Sequence, residues 1–545
     1  MSSKLNKENK TSFLKNVLML MFSQVVVKLL GLVYRVAIVG AEGFGDTGNG
    51  YYSTGYQIYM ILLAISSIGI PNVISKLVSE RVASGDYKGA HRLFKMALKM
   101  FTGFGIFLSL VLFLSADFIA SDLLHAGGVK YTLMVLAPAL TFVSCSAVLR
   151  GYFAGLGSMK ASGSSQVIEQ FFNCLLSIGF VYACVGKDTA VMAAAGNLST
   201  TMACAISLSY LIIFYRRRRG EIKTEISSQT VPQENKSRGK LIKIILTLSI
   251  PITMSSLIST ANSAIDIFTV SDGIQKAFSG ILTSAEALEQ KAMELYGTMQ
   301  KAEVITHLPL AISGTLCAAI VPVISSLIAK KEYKGLNDKI SSATLINSLI
   351  IFPCMGGIMI LAAPVLKLLY PSAPQGDIML ILLSVTLPFS SLTYVLNGIL
   401  YGAGREFVPA ISLSIASAVK LILNLVLIPY LNIYGAIIGT LVYQVIVFAI
   451  EVFVVYKTIP IKLDLVKLFL KPMLSAGVMT AAVFGFYSLI SKLFGNALST
   501  MLSVMIGAVV YVIVLLLLRT LKEEDIKGLP MGEKLGRILK KLRLI

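Results

Sequence analysis

Gln24, Lys28, Gly31 and Arg35 recur at i, i+4, i+7 and i+11, which places all four on one stripe of a helix. Ser255, Ser259, Asn262 and Asp266 repeat that spacing in a second apolar segment. Charges inside membrane-length helices are costly and face a cavity or a partner, so they mark function by default. Arg grips phosphate bidentately and Lys acts as a point charge, so a cavity lined by Lys28 and Arg35 suits an anion. A cavity for organic cations would need carboxylates and aromatics instead. Snorkelling is the competing reading for Lys28, and interfacial anchoring the one for Arg35. The depth of Lys28, near mid-membrane, and the shared stripe favour the cavity. For Asp266, nearer the outer side like Arg35, a salt bridge to a basic cavity residue and a proton or sodium site stand level.

Further ionisable residues lie at helical spacing in apolar segments. Glu169 with Asn173 and Lys420 with Asn424 are both i, i+4 pairs at similar depth. A Glu169–Lys420 pair across two lobes would form a gate, although pairing within a lobe is the favoured reading. Glu451 near the inner end of its segment, and Glu303 with His307 at an outer helix start, complete the coupling or gating candidates. A lone histidine at such a place is more often structural than a proton relay. No phosphate-binding loop, catalytic triad or paired-carboxylate arrangement stands out, so no catalytic residue is expected. The six cysteines sit in apolar runs without a C-x-x-C pair, and the three histidines are far apart. Neither a metal site nor a cofactor is expected.

The elements that must hold these residues are membrane helices. Of 545 residues 55% are hydrophobic and 14% charged, against about 25% charged in soluble domains. The mean hydropathy is +0.79. The apolar residues come in blocks of about twenty, the length that crosses a bilayer. These features exclude a soluble enzyme, a disordered chain and a disulfide-stapled secreted domain. The expected fold is an all-α polytopic membrane protein of about fourteen helices. They fall near 13–39, 54–79, 96–120, 131–153, 166–186, 189–214, 241–270, 303–328, 339–363, 377–401, 411–430, 434–457, 466–490 and 497–520. The basic N-terminus and the apolar run after it read as a retained first helix rather than a cleaved signal.

Lys and Arg concentrate at alternate helix ends, among them Lys76, Arg81, Lys88, Arg92, Lys95, Arg150 and Arg216 to Arg219. The positive-inside rule then places both termini in the cytoplasm and explains the net charge of +20 without nucleic acid. An internal repeat is visible. Residues 72–89 echo 322–335, and Leu149-Arg-Gly-Tyr-Phe-Ala-Gly-Leu-Gly157 echoes Leu396-Asn-Gly-Ile-Leu-Tyr-Gly-Ala-Gly404. An even helix offset makes the repeats parallel, so two six-helix lobes with a substrate path between them are expected. The expected order is a first lobe at 1–215, a basic cytoplasmic linker at 216–240 and a second lobe at 241–457. Helices thirteen and fourteen follow at 458–520, then a basic cytoplasmic tail at 521–545. Within 271–302 Ala285, Leu288, Ala292, Leu295 and Met299 share a face, which fits an external amphipathic helix on the membrane surface or over the cavity mouth and, equally, a simple ordered insertion.

The run Lys28-Leu-Leu-Gly-Leu-Val-Tyr-Arg35 and the run Gly69-Ile-Pro-Asn-Val-Ile-Ser-Lys-Leu-Val-Ser-Glu80 carry a resemblance, as does Leu308-Pro-Leu-Ala-Ile-Ser-Gly onward to Val321-Pro-Val-Ile-Ser325. They resemble the MurJ and stage V sporulation protein B group of lipid-linked oligosaccharide flippases. That group lies within the multidrug/oligosaccharidyl-lipid/polysaccharide exporter superfamily. The resemblance spans the whole chain. It implies a multi-pass protein of the bacterial cell membrane that moves an undecaprenyl-pyrophosphate-linked precursor, foremost lipid II, to the outer leaflet by alternating access.

The resemblance also implies that Lys28 and Arg35 engage the substrate's pyrophosphate; Gln24 and Asn262, on the two polar stripes, are expected to line the same substrate cavity. Here Lys stands for the first Arg of the group's pattern, and the spacing is one residue longer. Helices at 466–520 would form a groove for the lipid tail. The implied partners are the anionic lipid-linked oligosaccharide, membrane lipids and cell-wall synthesis proteins. Membrane potential, H+ and Na+ are the open alternatives for the driving force. Rival readings are a flippase for teichoic acid, capsule or exopolysaccharide units, a cation-coupled multidrug exporter, and a scaffold that transports nothing.

Overall fold

The structure, a computed structural model, describes residues 26–229, 238–459, 463–518 and 520. Every regular element among them is helical. The first helix, α1, covers residues 26–39. It is followed by α2 (Gly45–Leu63), α3 (Ile70–Ala83), α4 (Tyr87–Phe118), α5 (Val129–Gly155), α6 (Met159–Ala183), α7 (Thr189–Ser227) and α8 (Arg238–Phe278). Then come α9 (Ala285–Ala329), α10 (Tyr333–Ile360), α11 (Ala362–Leu369), α12 (Asp377–Ser384) and α13 (Leu387–Gly402). The chain continues with α14 (Phe407–Leu431), α15 (Ile433–Thr458), α16 (Lys471–Ile490) and α17 (Asn496–Leu517). Among the described residues eleven helical spans are long and apolar enough to cross a bilayer. Their outer faces stay apolar, as at Leu114, which is 80% exposed. Such a surface is stable only in lipid, so the protein is a multi-pass membrane protein.

Packing divides the chain into two compact units, Met1–Gly297 and Thr298–Ile545. In the first, α3, α4, α5 and α7 share a core around Ile74, Leu93, Phe94, Tyr152 and Phe153. The Phe94 and Tyr152 rings stack with centroids 4.1 Å apart. In the second, one core joins Ile324 of α9, Ile340 of α10, Ile399 of α13 and Val455 of α15. Another joins Phe352 of α10 to Met479 and Val483 of α16 and Tyr511 of α17.

The repeated sequence builds the same crossing in each unit. A Cβ on Gly151 or Gly155 of α5 would press on Pro71, Ile74 and Val78 of α3. A Cβ on Gly398 or Gly402 of α13 would press on Cys317, Ile320 and Ile324 of α9. Glycines four apart let two backbones approach closely, the packing mode helices use where lipid removes any hydrophobic drive between them. Each crossing then turns through a glycine in the left-handed region, Gly157 at φ 79° and Gly404 at φ 71°.

Three features depart from the sequence reading. Residues 271–302 do not form a separate surface helix: residues 271–278 finish α8, and Ala285 opens a 45-residue α9 that is about 68 Å long. Its first turns pack on protein, with Ala292, Met293 and Tyr296 each at most 2% exposed. The Glu289 carboxylate anchors them, accepting from the Tyr51 hydroxyl (2.8 Å) and the Gly128 N–H (2.9 Å). For that reason the packing boundary falls at Gly297/Thr298 and not within 216–240. The Arg216–Arg219 run is itself helical, in a 39-residue α7 that continues to Ser227. Finally, two expected helices are irregular: 54–79 lies in one span, Gly45–Ala83, that passes through a π-helical turn at Ala64–Ile68 ahead of Pro71, and 377–401 lies in one span, Asp377–Gly402, with a turn ahead of Pro388. A proline has no N–H to give and is accommodated at a helix start.

Candidate functional site

Arg35 of α1 is the centre of a polar node in the first unit. Its Nη1 donates to Asn49 Oδ1 (2.6 Å) and to Ser53 Oγ (2.8 Å), two acceptors one turn apart on α2. The guanidinium carbon lies 4.6 Å from the centroid of the Tyr52 ring. Asn49 is oriented in turn by donating Nδ2 to the Gly297 carbonyl (2.7 Å). Tyr52 starts an aromatic ladder, with Tyr56 at 6.2 Å and Tyr59 5.7 Å beyond that, and its hydroxyl donates to Tyr34 (3.3 Å). Two fixed acceptors and a ring face set the plane of a half-buried guanidinium, the preorganisation that bidentate phosphate recognition needs.

Lys28 lies two turns before Arg35 on the same face of α1, roughly 10 Å along the axis. Its side chain is exposed. Gln24 lies outside the described residues. On α8, Asn262 is half-buried and Asp266 is buried one turn later. The side chains of Ser255 and Ser259 lie outside the described set.

Glu169 is paired within its own unit. Arg150 Nη2 lies 2.6 Å from Glu169 Oε2, and the same arginine donates to Ser165 (2.9 Å) and Ser207 (3.0 Å). Its partner is therefore not Lys420. One turn on, Asn173 Oδ1 accepts from the Ser199 hydroxyl (2.6 Å). In the second unit Lys420 and Asn424 of α14 are fully buried, with Lys420 Nζ 6.0 Å from the Tyr443 centroid. Glu451 of α15 is also fully buried; its Oε1 accepts from Ser412 (3.0 Å), and Oε2 has no hydrogen-bond partner among the described residues. His307 is exposed on α9, one turn after Glu303, whose carboxylate accepts from Gln300 (2.9 Å).

In the repeat Arg150 corresponds to Asn397, and the same offset carries Ser165 onto Ser412. The first unit thus places an arginine where the second has an amide, and a buried carboxylate in the second unit has a serine as partner.

Several residues of these networks escape a reading of the sequence. Arg150 reads as a loop-end cation, yet it lies inside α5 with 12% of its side chain exposed. Asn49 and Ser53 carry no charge to mark them; the i, i+4 spacing of small polar residues beside Tyr52 and Tyr56 was the available signal. Lys301 is buried at 1% exposure, donating to the Ala373 carbonyl (2.6 Å) with Nζ 5.4 Å from the Tyr370 centroid.

An apolar groove of about 500 Å³ also lies in the second unit. Leu392, Val395 and Ile399 of α13 and Val452 and Tyr456 of α15 are among its lining residues, and Phe469 borders it from the turn before α16. Within 466–520, Phe469 thus lines this groove, while α16 and α17 pack on α10 and on each other. No cluster of potential metal ligands occurs among the described residues.

Comparison with known proteins finds a family model, relatives and solved structures similar to this chain. Residues 13–328 match the family model described as polysaccharide biosynthesis protein. The chain is 26% identical to stage V sporulation protein B of Bacillus subtilis (strain 168), over 97% of this chain and 99% of that one. It is 26% identical to the lipid II flippase MurJ of the same organism, over 79% of this chain and 80% of that protein. Among solved structures, the lipid II flippase MurJ in an inward closed conformation superposes with a TM-score of 0.67, at 16% identity, covering 91% of this chain and 98% of that one.

Proposed function

The chain belongs to the polysaccharide biosynthesis protein family, and on that premise we propose that it is a flippase, not an enzyme. In this reading it carries an undecaprenyl-pyrophosphate-linked cell-wall precursor, foremost lipid II, from the inner to the outer leaflet. The observation that carries the reading is the Arg35 node. A guanidinium oriented by Asn49, Ser53 and Tyr52, with Lys28 on the same face of α1, offers two cations to a doubly charged pyrophosphate. Similarity to the lipid II flippase MurJ supports the same substrate.

In the proposed cycle about fourteen membrane helices hold both termini in the cytoplasm. The pyrophosphate enters from the inner leaflet and is neutralised at Lys28 and Arg35 while the polyprenyl tail stays in lipid. The apolar groove beside α13 and α15 offers that tail a path. Alternating access then exposes the sugar outside, and substrate drives the change only through different affinities for the two states. Each cationic charge crossing 100 mV is worth about 2.3 kcal/mol, so membrane potential favours return of the emptied site. Among the coupling candidates Glu451 is best supported, because a buried carboxylate with one hydroxyl donor is costly unless it takes up a proton.

A second reading, transport of another lipid-linked polysaccharide unit, is favoured by the family model, whose description is polysaccharide biosynthesis protein and names no lipid II. Purified protein in vesicles carrying fluorescent lipid II tests both. Protein-dependent loss of label protection for lipid II, abolished by Arg35→Ala, is the expected result. Movement of a teichoic-acid-type lipid but not lipid II would move the assignment to the second reading.

A further inference from the structure

A second basic site lies in the first unit and shares no residue with the Arg35 node. Lys88, Arg92 and Lys95 of α4 and Arg219 and Lys223 of α7 converge around a cavity of about 720 Å³, and no acidic residue lines it. On α4 these positions are i, i+4 and i+7, one face of the helix, and Arg219 and Lys223 are one turn apart on α7. The acid nearest in sequence to Arg219, Glu221, pairs instead with Arg218 (2.9 Å), which does not line the cavity.

The floor rests on packed side chains. The His91 ring lies nearly parallel to Tyr215, with centroids 6.3 Å apart and planes at 13°. His91 Nδ1 is 3.3 Å from the hydroxyl of buried Tyr152. Ile222 of α7 is 6% exposed and joins the core of the unit. A clamp holds the extension of α7 over α4: the Lys88 N–H donates to Gln229 Oε1 (2.8 Å), and Gln229 Nε2 donates to Asp86 Oδ1 (3.2 Å). Asp86 also caps α4, accepting from the Gly89 N–H. The fold thus gathers five basic side chains around one space; Arg92 has a contact of its own and the Glu225 carboxylate is near enough to act on Tyr152, and an anion relieves the repulsion among Lys88, Lys95, Arg219 and Lys223. Under the positive-inside rule this end of α4 faces the cytoplasm at headgroup level, where basic pockets between membrane helices bind multiply charged phosphates.

We propose that this pocket binds an anion bearing two phosphate groups, at a site separate from the Arg35 node. The same chemistry is offered by a two-phosphate lipid headgroup and by a soluble diphosphate, so the test has two arms. Full-length protein in zwitterionic nanodiscs is titrated with inorganic pyrophosphate by calorimetry. Delipidated protein in nonionic detergent is titrated with cardiolipin against phosphatidylcholine, with bound lipid counted by native mass spectrometry.

Binding is expected in at least one arm, and the arm identifies the source. Lys95→Gln/Arg219→Gln/Lys223→Gln should weaken it at least tenfold, and Lys223→Gln alone, at an exposed position, about threefold. Arg216→Gln/Arg217→Gln on the same helix, which removes charge outside the cavity, should leave affinity within twofold. Binding in neither arm would overturn the proposal. So would an equal loss in the Arg216/Arg217 control, since that means general surface charge and not this cavity.

Discussion

At Arg35 charge and shape can be separated. Arg35→Lys keeps the cation but loses the planar fork that Asn49, Ser53 and Tyr52 orient, and Arg and Lys are not equivalent at such sites. We expect translocation to fall at least tenfold in Arg35→Lys and to vanish in Arg35→Ala, with membrane insertion unchanged in both. Equal activity of Arg35→Lys and the native protein in the vesicle assay would show that only charge matters. At Arg150 the expected effect is on stability. Arg150→Ala leaves Glu169 without its 2.6 Å partner, a loss of about 1–3 kcal/mol that Glu169→Gln in the same chain should partly restore. Thermal unfolding of the single and double variants checks this, and equal Tm values would refute it. The charges themselves were legible in sequence because each interrupts an apolar run. Their partners were not: hydropathy gives depth along the membrane normal but not which neighbouring helix a side chain meets. Glu169 therefore had two open partners until α5 was seen to bring Arg150 beside it.

Helices were legible as blocks of about twenty apolar residues, and the repeat as matched Gly-x3-Gly runs. The continuity of α9 was not. Its polar first half shows the right helical spacing, but amphipathic spacing does not say whether the apolar face meets lipid or protein, and Ala292, Met293 and Tyr296 meet protein. The irregular turns ahead of Pro71 and Pro388 were hidden for a related reason, since a proline or a π-helical turn leaves the hydropathy of the run unchanged. The glycine crossings give a directional prediction. A Cβ at Gly155 would sit 2.7 Å from Val78 Cβ, so Gly155→Ala should cost about 1–3 kcal/mol through overpacking. A Cβ at Gly179 of α6 has open space, so Gly179→Ala should be neutral or stabilising by up to about 1 kcal/mol. Thermal unfolding in detergent reads both, and a stable Gly155→Ala variant would contradict the close approach of α3 and α5.

For the molecule as a whole, the alternation of Lys and Arg along the chain predicts a sidedness that a reporter can read. A fluorescent protein fused after Ile545 should mature, and an alkaline phosphatase fused at the same point should stay inactive; the reverse pattern would place the C-terminus outside. Drive is open to test in the same vesicles. If Glu451 is the coupling group, Glu451→Gln should fold normally and lose any response of transport to an imposed pH gradient; a retained response would remove it from that role. The substrate is decided most directly in cells. In a bacterium depleted of its own lipid II flippase, surface-exposed lipid II is measured with the native protein and with Lys28→Ala/Arg35→Ala. Restored exposure with the native protein alone is the predicted result. Restoration by both would contradict the assigned site, and no restoration by a native protein shown to be expressed and inserted would contradict lipid II as the substrate.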